Sequence, residues 1–184
     1  MKLSILSILL LATLHCAPAL ADDYKTLEWL DLMPKSDLDA LMNPPEALKQ
    51  IQDGTPEDEM DIQSLSDLNI PADDPYQKAL VSTKIIAKYN KMKVRIPGFV
   101  VPLEFDDDQV ISAFFLVPYF GACIHQPAPP PNQMIYVTTS KGLKTEVLYE
   151  PFWIEGTIFT ESKSMEIGLS AYSMSADKIS PYTE

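Results

Sequence analysis

A cysteine and a histidine two residues apart, Cys123-Ile124-His125, are the residues of this sequence best equipped for chemistry. In extended backbone, positions i and i+2 face the same side, so a thiolate and an imidazole stand together there, and both are good ligands for zinc or copper. Two ligands do not complete a tetrahedral site. Glu104, at the end of the first predicted strand, is the carboxylate that the motif order offers as a third ligand. Asn132 or Gln133 can add a supporting hydrogen bond, and a second subunit can also complete the coordination. The same pair has a competing reading, a cysteine-dependent enzyme with Cys123 as nucleophile and His125 as base. Such enzymes need thiol and base in hydrogen-bond contact, a residue that orients the base, and donors for an oxyanion. Neighbours at i and i+2 seldom supply that geometry, so no catalytic residue is assigned. A haem attachment signal needs Cys-x-x-Cys-His and a thioredoxin-type pair needs two cysteines; neither pattern occurs. In a third reading both residues are packed, the cysteine as a small hydrophobe and the histidine against a carbonyl in a turn.

The elements that hold this pair are β-strands. A strand ends at Pro118, the chain turns through Gly121, and Pro127 with Pro129 to Pro131 stiffens the exit as polyproline II. That proline run can dock into a partner groove or pack on the protein's own aromatics. From Lys93 onward the apolar period is two. Lys93 to Leu103 reads as a long first strand, kinked at Pro97-Gly98, and Asp106-Asp107-Asp108 as the turn after it. Val110 to Val117, Gln133 to Thr139, Phe152 to Phe159 and Gly168 to Met174 supply the rest, with Ser140-Lys141-Gly142 as a tight turn. Five strands with a long bent first one predict a mainly β protein, a small OB-like (oligonucleotide/oligosaccharide-binding type) barrel. A β-sandwich, the alternative, ordinarily needs about seven short strands. The barrel face can take a glycan or a peptide, but the sequence nominates no exposed aromatic for that task.

Upstream, residues 22–90 read as a helical and acidic extended arm on a barrel domain of residues 91–184. Leu27, Leu30 and Met33 recur at helical spacing, Ser36 is placed to cap a second helix, and Pro45 opens a third over residues 46–52. Trp29 anchors the arm to the body. Residues 50–77 are acidic, without Lys or Arg, and read as a solvated loop. Asp53, Glu57, Asp58, Glu59 and Asp61 lack the spacing of a calcium-binding loop. Residues 78–90 suit a helix that feeds the first strand.

Composition restricts the partners. The chain of 184 residues has 14 Lys+Arg against 26 Asp+Glu, a net charge of −12, which disfavours nucleic acid and anionic membrane surfaces. Met1-Lys2, the apolar run Leu3 to Leu14, and Ala19-Leu20-Ala21 predict a secretory signal cut after Ala21, so residues 1–21 are read as a leader. The apolar run is shorter than the ~20 residues a membrane span needs, and His15 stands where a small residue ordinarily precedes a lipidated cysteine. Cleavage removes Cys16 and His15 and leaves Cys123 and His125 as the sole residues of their kinds. No intramolecular disulfide can then form, and stability must come from an apolar core.

The runs Ile96 to Glu104, Phe114 to His125 and Pro127 to Gln133 resemble the domain-of-unknown-function 3299 family of exported bacterial proteins. The likeness covers roughly residues 90–175, with Trp29 to Pro34 similar to the family's upstream segment, and Ala128 departs where a proline is more usual. The resemblance implies a periplasmic protein with an OB-type barrel. Some relatives are lipoproteins or accompany transport systems, and the family has no established enzymatic role.

The resulting expectation is a soluble periplasmic binding or adaptor protein associated with an envelope transport complex. Zinc or copper would be held by Cys123, His125 and Glu104. The competing expectations are the cysteine enzyme and a structural interaction protein without a site.

Overall fold

Alternation of apolar and polar residues puts Val94, Ile96, Gly98 and Val100 of one strand inward and buried, and the barrel grows from this strand. The computed structural model describes residues 23–50, 68–106, 108–121, 128–144 and 148–183. The predicted leader and most of the acidic loop lie outside them. In chain order the strands are β1 (Lys25–Thr26), β2 (Met92–Phe105), β3 (Ile111–Val117), β4 (Ile135–Leu143), β5 (Phe152–Phe159), β6 (Lys163–Met165), β7 (Gly168–Ser170) and β8 (Tyr172–Pro181). The helices are α1 (Lys35–Met42), α2 (Glu46–Lys49) and α3 (Pro75–Leu80).

β2 pairs antiparallel with β5 from Met92 to Gly98 and with β3 from Phe99 to Phe105. It therefore pairs with a different neighbour in each half, and the exchange of partner falls at Gly98. A Cβ there would stand 2.8 Å from Leu116 Cγ and from the Val117 carbonyl oxygen, so only glycine lets β2 and β3 close together at the bend. β3 then pairs with β4, β4 runs parallel to β8, and β8 pairs antiparallel with β5. The β2–β5 ladder closes the circle. Counting barrel strands alone, the order is first, second, third, fifth, fourth and back to first, as expected of an OB-type barrel. The interior is filled by Ile96, Phe114, Leu116, Ile135, Ile154 and Tyr172, all buried.

The arm is part of this construction. β1 lies parallel to β2, with Lys25 opposite Val94. Leu27 and Leu32 join the barrel core, the latter from a 3₁₀ turn over Trp29–Leu32. The Trp29 indole N–H donates to the Pro97 carbonyl at 2.7 Å, which makes it the expected anchor. α1, α2 and α3 form a smaller apolar cluster around Ile70 and Leu80.

Several boundaries differ from expectation. Residues 140–142 are not a turn: β4 runs on to Leu143, which pairs with Ile111 past a bulge, and Gly142 takes up the bend at φ +66°. The fifth predicted strand divides at Ala171, whose N–H donates to the Pro131 carbonyl at 2.8 Å; β8 then continues to Pro181. Pro34 rather than Ser36 precedes α1. The helix expected over 78–90 instead starts at Pro75, capped by Asp74, whose carboxylate accepts the Tyr76 N–H at 2.8 Å. It ends at Leu80, and a 3₁₀ turn at Ala87–Tyr89 leads into β2. Among the described residues, no helix is long and apolar enough to cross a membrane.

Candidate functional site

The segment between β3 and β4 was the expected site. Cys123 and His125 lie outside the described residues. Glu104 is exposed near the C-terminal end of β2, opposite Ala113. Ala113 precedes Val117, where β3 ends, by four residues, or about 13 Å of strand. Glu104 lies near enough to Tyr136 for its charge to matter: burial first, and then the Glu104 carboxylate, push the Tyr136 hydroxyl above its ordinary pKa. Among the described residues, no three His, Cys, Asp or Glu side chains are grouped to hold a metal ion.

The exit of that segment has a clear structural task. Pro129 and Pro130 are buried, and so are Asn132 and Gln133 in the 3₁₀ turn Pro131–Gln133. The Gln133 side-chain amide donates to the Trp29 carbonyl at 2.9 Å, and the Asn132 backbone N–H donates to the Ser82 carbonyl at 3.2 Å. The Asn132 side-chain amide donates to Asp37 at 3.2 Å. Asp37, 3% exposed, also accepts from the Ser82 hydroxyl, from Lys84 Nζ at 2.7 Å and from Ser36 at 3.1 Å. Burial pushes its carboxyl up, but hydrogen bonds from Lys84, Ser82 and Ser36 and the Lys84 charge outweigh burial and hold it below the ordinary carboxylate range. Asn132 and Gln133 thus bind the arm to the barrel.

Beside the start of the same segment lies an apolar groove of about 120 Å³, lined by Trp29, Pro97, Phe99, Pro118, Pro151 and Tyr182 together with Gly98. It forms because the kink of β2, the end of β3, the start of β5 and the end of β8 meet at one end of the barrel. Phe120 packs edge-on to Phe99, centroids 6.1 Å apart. Tyr182 tilts against Trp153 at 5.2 Å, and the Arg95 guanidinium lies 3.9 Å over the Trp153 ring. Tyr119 and Phe120, which follow Pro118 of the lining, and Tyr182 are exposed, as is Tyr149, two residues before Pro151. The proximity of Tyr182 and Trp29 was not readable from the sequence, because it arises from closure of β5 against β8 and β2; the only local signal was the Pro-Tyr-Phe run at 118–120.

A second apolar layer covers the outside of the barrel. Phe114 and Leu116 of β3 point inward, while Phe115 and Val117 point outward and are equally buried. Met134, Val101, Leu103, Tyr136 and Met165 cover them. Met165 comes from the β6–β7 hairpin, which pairs only with itself among the described strands. β3 is therefore sealed on both sides.

A solved structure of a DUF3299 family protein from Pseudomonas aeruginosa is similar, with 32% sequence identity and a TM-score of 0.63, over 88% of this chain and 98% of that one. No curated protein matches the chain. The family model described as "Protein of unknown function (DUF3299)" matches residues 29–181, and with the arm from Trp29 onward, the barrel strands and the joint at Asn132-Gln133 inside that range, the chain belongs to the DUF3299 family.

Proposed function

We propose that this protein is exported to the periplasm, loses residues 1–21, and works there as a binding or adaptor module that seats an apolar segment of a partner protein of an envelope transport complex. The observation that supports this reading is the rim: exposed Tyr182 lines an uncharged groove of prolines and aromatics, exposed Tyr119 and Phe120 follow its Pro118, and exposed Tyr149 stands two residues before its Pro151. Exposed aromatics gathered around a pocket are the usual anchors of protein recognition. The groove, about 120 Å³, has room for one aliphatic or proline side chain, and its lining offers no charge for an ionic ligand. Within the proline run, Pro129 and Pro130 are buried in the fold and so are not available to a partner.

Photocrosslinking in the source cell tests this reading. A photoreactive residue replacing Tyr149 is expected to capture one defined envelope protein, and capture should fall when Tyr182 is changed to Ser. The same probe at Lys91, which precedes β2 and whose N–H donates to the Ile158 carbonyl at the far end of β5, should capture none. Equal labelling from Tyr149 and Lys91, or recovery of the chain from the cytoplasm with its leader intact, would refute the proposal.

The metal-handling form of this function assigns Cys123, His125 and Glu104 as ligands of zinc or copper. Protein purified without an affinity tag is expected to contain stoichiometric zinc or copper, and Cys123→Ser to lose it. Metal-free protein with an inert thiol would eliminate this form. Rapid alkylation of Cys123 at low pH would instead support the nucleophile reading.

A further inference from the structure

We infer that the outer surface of β4, β8 and β5 carries a binding site for a short neutral oligosaccharide. Register brings its residues together. Tyr136 of β4 is opposite Ser173 of β8, which is opposite Phe159 of β5. Two positions along, Thr138 is opposite Ser175, which is opposite Thr157. Directly opposed residues share a face, so one row reads aromatic, hydroxyl, aromatic, with Ser173 only 7% exposed at its centre and the Tyr136 ring edge-on to Phe115, and the next reads three hydroxyls. Strands are about 4.8 Å apart, which separates the two aromatic positions by about 10 Å, and the rows lie about 7 Å apart.

A cleft of about 250 Å³ stands over this patch, lined by Tyr136, Thr138, Phe159, Ser173 and Ser175, with Glu161 and Lys163 as the wall towards the β6–β7 hairpin. The chemistry of the lining selects the ligand. Aromatic rings offer flat apolar surfaces to the C–H faces of a sugar ring, and hydroxyls both donate and accept toward its hydroxyl groups. Glu161 can accept hydrogen bonds, and because Glu161 and Lys163 carry opposite charges the wall has no net charge. The net charge of −12 also opposes anionic polysaccharides and nucleic acid. The hairpin that forms the wall is held down by Met165 on the Phe115 cluster, and Gly168 lets it approach closely: a Cβ there would already touch the Phe115 ring and Met134 at 3.4 Å. The cleft wall thus rests on a packed element. Phe159 is seven residues, about 23 Å of strand, from Phe152 at the rim end of β5, so this site is separate from the partner groove.

Titration of the isotope-labelled mature chain with chitotriose, cellotriose and maltotriose, followed by amide chemical shifts, decides the matter. At millimolar concentration at least one trisaccharide is expected to move the amides of Tyr136, Thr138, Phe159, Ser173 and Ser175 in a saturable way. Thr138→Ala and Ser175→Ala alter exposed hydroxyls; each is expected to weaken binding about fivefold with an unchanged melting temperature, as the loss of one hydrogen bond predicts. Tyr136→Ala should abolish binding, with Tyr136→Phe as the folded control that retains the ring. Absence of saturable shifts with all three sugars, shifts confined to the rim, or binding untouched by both alanine variants would each overturn the inference.

Discussion

Asp37 shows how far a single residue can be followed. Its carboxylate is buried on the arm and gathers Ser36, Ser82, Lys84 and Asn132, which come from three separate stretches of chain. Nothing in the helical pattern around it distinguishes Asp37 from Asp39, two residues on and exposed; the difference arises because Asn132 and Ser82 arrive through tertiary folding. Its native pKa lies below the ordinary value, so the charged form is favoured in the folded state, and the associated stability is present above the unfolded value. That stability is lost as the pH falls from about 4 through the native pKa. Denaturant midpoints measured across the acid range are therefore expected to drop in this window for the wild type, and Asp37→Asn should show a shallower drop. The Lys84 side chain is 64% exposed, so solvent screens part of its contribution, and the hydrogen bonds from Ser82 and Ser36 add to what Lys84 supplies. Identical acid limbs for the two proteins would show that the carboxylate charge does not hold the joint.

At the scale of elements, the barrel strands were legible and their boundaries less so. β5 is where the sequence places it, because Phe152, Ile154, Gly156 and Ile158 alternate with half-exposed neighbours without interruption. β2 announced its kink through Pro97-Gly98. β3 has apolar residues on both faces, and the alternation alone does not say that a hairpin covers the outer one. The turn read at Ser140-Lys141-Gly142 failed because a glycine at positive φ can sit at a bend inside a strand as well as in a turn. The expected metal site was legible only as a composition, and the structure describes Glu104 but neither Cys123 nor His125. Gly98 offers the sharpest test of how the elements fit. Alanine at this position brings its Cβ against Leu116 and the Val117 carbonyl, and the backbone oxygen cannot move aside without parting β2 from β3. Gly98→Ala is expected to cost about 1–3 kcal/mol, in the range of overpacked cores, read as a lower denaturant midpoint with unchanged slope. A variant of undiminished stability would mean that the exchange of partner at Gly98 is not closely packed.

For the whole molecule, the question is whether the barrel is complete without its arm. Five strands close the sheet, which would suggest that residues 91–184 suffice. The core says otherwise: Leu27, Leu32 and Tyr89 are at most 1% exposed and belong to the same cluster as Ile96 and Phe114. The hydroxyl of Tyr172, in the barrel interior, accepts from the Ile86 N–H at 2.7 Å and donates to the Leu32 carbonyl at 2.8 Å. Both partners are lost with the arm, as are the Trp29 carbonyl that accepts from Gln133 and the Asp37 carboxylate that accepts from the Asn132 side chain. Each buried leucine is worth about 1.5–3 kcal/mol and each stranded buried polar group costs about 1–3 kcal/mol, against a total stability of about 5–15 kcal/mol for an ordinary domain. The arm therefore contributes an amount comparable with the stability of the entire fold. A fragment of residues 91–184 is expected to lose near-ultraviolet dichroism, to bind the dye ANS and to unfold without a sharp transition, whereas the chain from residue 23 to 184 unfolds cooperatively. A barrel fragment that retains dispersed amide resonances and a sharp melt would show instead that Leu27, Leu32 and Trp29 rest on a core already able to hold itself.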